Sequence, residues 1–173
     1  SPDLHNNERL LGRSVSLDDD HLVAGGCSLG WQPLMPRAVV FRRHVPGTAT
    51  PWVAVAERPG SIFHDSTTGV DEGNEFGVAV ALYRDQMLVG ASNDGKEGRG
   101  MGTVFERNQG GVEAWEKVER LNQHVRHVFE SVGAFLDLSA HTAVLGSDNY
   151  STGNTEGGNA YIYSRDPGGV SSP

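Results

Sequence analysis

The chain has 173 residues, 37% hydrophobic and 21% charged, enough for one domain with a real core and too few for two comfortable ones. Its net charge of −8 comes from 22 acidic against 14 basic residues, a field that repels phosphate backbones and argues against nucleic acid as a partner. No run of about 18 apolar residues is present to form a membrane-spanning helix, and the single cysteine, Cys27, excludes a disulfide within the chain.

Glycine is abundant, with 23 residues spaced between short runs of Val, Leu, Ala and Phe. That pattern predicts an all-β chain of short strands and tight turns. The first two strands lie in Leu11 to Gly26: Val15 and Leu17 alternate with Ser14 and Ser16, Asp18-Asp19-Asp20 makes a turn, and Leu22-Val23-Ala24 follows. Period-2 alternation marks a strand with two unlike faces, and consecutive apolar residues mark one buried on both. Asp is common in such turns because it caps its own backbone, so the acidic triplet is read as a turn. A third strand, Ala38 to Arg43, ends Phe41-Arg42-Arg43, and a fourth starts at Trp52.

The same order returns twice. Phe76 to Ala91 repeats the first pair of strands, Gly102 to Arg107 the third, and Trp115 the start of the fourth. Val132 to Ser147 and Ala160 to Arg165 make a third copy, which reaches Pro173 with no matching tryptophan. The opening and closing glycines, Gly12 and Gly25, Gly77 and Gly90, Gly133 and Gly146, are 13 residues apart in every copy. Arg43, Arg107 and Arg165 recur at one position, where they are expected to pair with acidic residues of the adjacent unit. Four short antiparallel strands per repeat read as a β-propeller blade. The blades are placed at about 11–56, 76–120 and 132–166 of a single region spanning 1–173, with surface loops at Cys27 to Arg37, Arg58 to Asn74 and Asp148 to Gly158.

At these residues the sequence resembles the FG-GAP repeat family. The second copy carries the resemblance most fully, with Gly73-Asn74-Glu75-Phe76-Gly77 and Leu88-Val89-Gly90-Ala91. The first copy has Leu11 for the Phe, the third has Val132, and none has the family's Pro. The resemblance implies a propeller like that of integrin α-subunit heads, normally of seven blades, in an extracellular or secretory-lumen setting. About three blades are present here, a partial propeller, so further blades from a longer chain or another subunit are expected to complete it.

Candidate sites are few. Some members of the family hold calcium in loops of alternating carboxylates; the nearest equivalents are Asn93-Asp94-Gly95, with Glu97 nearby, and Asp148-Asn149. Neither has the full alternation that six to eight oxygen ligands require, so solvated turns are expected and no cofactor is assigned. Trp52 and Trp115 could stack on sugar rings, although their matched positions favour packing between blades. His124-x-x-His127 lacks a third zinc ligand and is read as a loop, and His141 as part of a solvated turn. No nucleophile elbow, phosphate loop or His-Glu-x-x-His occurs. The expectation is a non-catalytic module that binds protein or glycan in adhesion or matrix. The alternatives are a structural subunit of a larger assembly and an accessory domain of a secreted hydrolase.

Overall fold

A computed structural model describes residues 11–26, 37–43, 52–59, 75–93, 98–121, 130–151 and 156–165. They form β1 (Ser14–Asp18), β2 (His21–Gly26), β3 (Arg37–Arg43), β4 (Trp52–Pro59), β5 (Phe76–Tyr83), β6 (Gln86–Ala91), β7 (Met101–Arg107), β8 (Trp115–Leu121), β9 (Phe135–Leu138), β10 (Thr142–Ser151) and β11 (Glu156–Ser164). No helix occurs among the described residues. The strands make three antiparallel sheets in the orders β1-β2-β3-β4, β5-β6-β7-β8 and β9-β10-β11, with no closed barrel. This is the all-β, partial-propeller architecture expected from the repeat.

The sheets share local chemistry as well as strand order. The β1–β2 turn is two residues, with Asp19 at φ 50, and the β5–β6 turn matches it, with Arg84 at φ 51. Asp18 therefore belongs to the strand, not the turn. The ladders β3–β4 and β7–β8 each shift register at the same place, between Val40 and Phe41 and between Val104 and Phe105. Each third strand is tied at its end to the turn of its own sheet. The backbone N–H of Arg43 donates to the Asp20 carbonyl at 2.7 Å, Arg107 to Asp85 at 2.8 Å, and Arg165 to His141 at 2.8 Å.

The third sheet corrects one expectation. Asp148 to Gly158 was expected to be a surface loop. Instead β10 runs to Ser151 and β11 starts at Glu156, because pairing resumes beyond a register shift with Tyr150 opposite Gly157. A bulge absorbs the extra residues and lets the ladder continue through polar sequence.

The core lies in the two seams between sheets. The first gathers Val23, Ala38 and Val40 of the first sheet against Val80, Leu82, Met87, Val89, Phe105 and Trp115 of the second. The second gathers Leu88, Val104 and Leu121 of the second sheet against Leu136, Leu138, Ala143, Leu145, Tyr161 and Tyr163 of the third. The aromatics ahead of Arg107 and Arg165, Phe105 and Tyr163, both face the preceding sheet. The middle sheet, covered on both sides, is apolar on both faces: β5 is buried from Phe76 to Leu82.

Candidate interaction faces

Each seam has a polar component fixed by the strands. Ser14, Ser16 and Asp18 lie on one face of β1, as alternation requires. The Ser14 hydroxyl accepts from the Val80 N–H at 3.0 Å, the Ser16 hydroxyl from the Leu82 N–H at 3.0 Å, and the Asp18 carboxylate from the Arg84 N–H. In β5 the matching residues Ala79 and Ala81 are buried and apolar, so the β5–β9 approach is made by packing of Val78 and Ala79 on Leu136.

At the turn end of the first seam an ionic cluster joins the first two sheets. His21 is buried, with Nδ1 2.5 Å from Asp20 Oδ1 and Nε2 3.0 Å from Glu113 Oε2. Arg107 NH1 lies 2.9 Å from the same Nε2 and 3.4 Å from Glu113 Oε1, and Arg42 NH1 lies 3.2 Å from Glu113 Oε1. A protonated His21 donates from both nitrogens to the two carboxylates; a neutral one accepts at Nε2 from Arg107. Burial works to raise the Asp20 pKa, but the charge and hydrogen bonds of His21, then Arg42, outweigh it and hold the carboxyl below its ordinary value.

The second seam contains a buried carboxylate. Glu130 Oε1 accepts from the Tyr161 hydroxyl at 2.7 Å, and the Glu130 carbonyl accepts from the Ser147 hydroxyl. Glu130 Oε2 is buried and has no hydrogen-bond partner among the described residues. Burial, then the Glu130 hydrogen bond and charge, push the Tyr161 pKa well above the tyrosine range. Burial and then Glu130 also raise Tyr163.

Of the expected site residues, Trp115 is fully buried, edge-on to His21 with centroids 6.3 Å apart, so its ring packs the seam and is closed to a sugar. Trp52, its match in the first sheet, is half-buried. The recurring arginines differ in their partners. Arg165 NH1 reaches Glu106 of the preceding sheet at 2.6 Å, as expected. Arg107 Nε donates to Asp85 of its own sheet at 2.7 Å and meets His21, not a carboxylate, across the seam. The Arg43 side chain is exposed. Asn93 is exposed after β6. Asp94, Gly95, Glu97, Cys27, His124 and His127 lie outside the described residues, as does the side chain of Asp148. Among the described residues no three His, Cys, Asp or Glu gather to hold a metal, and Asn93 alone does not supply the oxygens calcium needs.

The seam residues His21, Glu113, Glu130 and Tyr161 were not singled out from sequence. The Ser-x-Ser-x-Asp run of β1 was the readable signal, since it puts three acceptors on one face.

The outer faces of the first and third sheets are unlike the seams. Val15 and Leu17 are 62% and 61% exposed, and Phe135 and Ile162 are 59% and 71% exposed.

A model of the FG-GAP repeat matches residues 68–105, which contain β5, β6 and most of β7. This is the copy with Phe76-Gly77 and Leu88-Val89-Gly90-Ala91. No curated protein matches the sequence. No helix among the described residues is long and apolar enough to cross a membrane.

Proposed function

From the FG-GAP repeat at residues 68–105 we propose that this chain is a non-catalytic β-propeller module that binds protein or glycan outside the cell or in the secretory lumen. One observation carries the reading: the sheet that holds the matched repeat lies between a first sheet of the same four-strand order and a third with the first three of those strands, and all three share the arginine-to-turn hydrogen bond. Repeat architectures of this kind present loops and faces to partners. The charged side chains of the first seam support it, because His21, Asp20, Arg107 and Glu113 bond to one another across the sheets.

Surface-immobilised glycans and matrix proteins, probed with the purified chain, test this. Saturable binding without chemical change to the bound molecule is expected, and Trp52→Ala should weaken a glycan interaction. Turnover of a bound substrate, or no binding across both panels, overturns the proposal. The exposed Val15, Leu17 and Ile162 favour a second reading, in which further blades complete the propeller and the chain is structural.

A further inference from the structure

The two seams follow one rule of register. Gly25 pairs with Ala38, and Val23 with Val40. Their counterparts are Gly90 with Gly102 and Leu88 with Val104 in the second sheet, and Gly146 with Ala160 and Val144 with Ile162 in the third. In the first sheet this face is covered by Val80 and Leu82 of β5, and in the second by Leu136 and Leu138 of β9. The glycines meet in the same way. A Cβ on Gly25 would collide with the Gly77 carbonyl, and one on Gly90 with the Gly133 carbonyl. Each covering strand thus has a glycine at positive φ close to its start, 86° at Gly77 and 94° at Gly133, with apolar residues three and five positions later.

Among the described residues the same face of the third sheet is uncovered. Val40 is 0% exposed while its counterpart Ile162 is 71% exposed, and the atoms nearest a Cβ on Gly146 are those of Phe135 in its own sheet, not a backbone carbonyl of a neighbouring one. What would cover it is already in the chain. Gly12 has φ 95° and no atom within 4 Å of where its Cβ would stand. Val15 and Leu17 lie three and five residues beyond it and are exposed, whereas their counterparts Val80 and Leu82 are buried.

Resting on the reading of these sheets as FG-GAP blades, we infer that the open face of the third sheet receives the first sheet of a second copy of this chain, head to tail, with Gly146 of one copy against Gly12 of the next. The contact continues the two seams inside the chain, with Ile162 and Val144 beneath Val15 and Leu17. The three described sheets of each of two copies, joined at both ends, make six blades, within the four to eight that close a ring. A head-to-tail contact either closes or runs on as an open chain, and both exceed the mass of one copy.

Sedimentation equilibrium of the full chain across a concentration series tests this. Two copies per particle, or a longer series of copies, is expected. Leu17→Asp and Ile162→Asp should each weaken association at least about tenfold, since each places a charge in an apolar contact. An equimolar mixture of the two variants should recover a pair, because one intact first-sheet face meets one intact third-sheet face. Far-UV circular dichroism checks folding, and Leu17→Ala with Ile162→Ala replaces the pair if either Asp variant unfolds. A monomeric native chain, association that survives in both variants, or folded variants that stay apart when mixed overturns the inference. A monomer that still binds a glycan or matrix protein overturns it and leaves the proposed function standing.

Discussion

The α-carbon of Gly90 faces the carbonyl oxygen of Gly133, so close that a side chain on Gly90 would occupy the space of that oxygen. The obstacle is backbone, which cannot rotate aside. Gly90→Ala should therefore destabilise the chain by about 1–3 kcal/mol, the usual range for overpacking a tight contact. In Gly146→Ala the nearest atoms belong to the Phe135 side chain, its Cβ at 3.0 Å, and the change should cost much less in dilute chain. Urea unfolding of both variants checks the contrast; equal midpoints would refute the seam geometry.

The serine ladder of β1 gives a local readout. Ser16→Ala leaves the partly buried Leu82 N–H without its acceptor and should cost about 1–2 kcal/mol. Amide exchange should accelerate at Leu82 most, and at Val80 in Ser14→Ala. Uniform acceleration across β5 would instead indicate general loosening.

The tryptophans should separate by neighbourhood. Trp115 fills the first seam, and Trp115→Ala should cost about 3–5 kcal/mol. Trp52 is only half-buried, and no described sheet lies on the side where Trp115 meets the first sheet, so Trp52→Ala should cost a small fraction of that in the monomer. Thermal denaturation monitored at low concentration distinguishes them.

Alkaline stability should depend on Tyr161. Its folded pKa lies above the unfolded value near 10, so the folded state favours the neutral phenol. Its stabilising contribution is full below pH 10 and is lost as pH rises above that value toward the folded pKa. Tyr161→Phe should remove part of this slope, while losing the hydrogen bond to Glu130 at every pH. Unfolding free energies at pH 8 and pH 11 measure both effects; an unchanged slope would show that Tyr161 is not shielded.

By itself the sequence determined the strands, their order within each sheet and the glycine spacing. These follow from period-2 alternation, turn chemistry and backbone freedom, all local properties. The same local reading left Asp18 in a turn and Asp148 to Gly158 in a loop, because strand pairing with a distant segment decides where a ladder stops. Only the tertiary structure showed that Gly90 meets Gly133, that Trp115 is a seam residue and that Glu130 is buried beneath Tyr161. Those facts depend on how one sheet stacks on the next, where the contacting residues are far apart in the chain. The exposed Ile162 shows the difference most directly: its sequence position matches Val40 and Val104, but no described sheet stacks over it as one does over them.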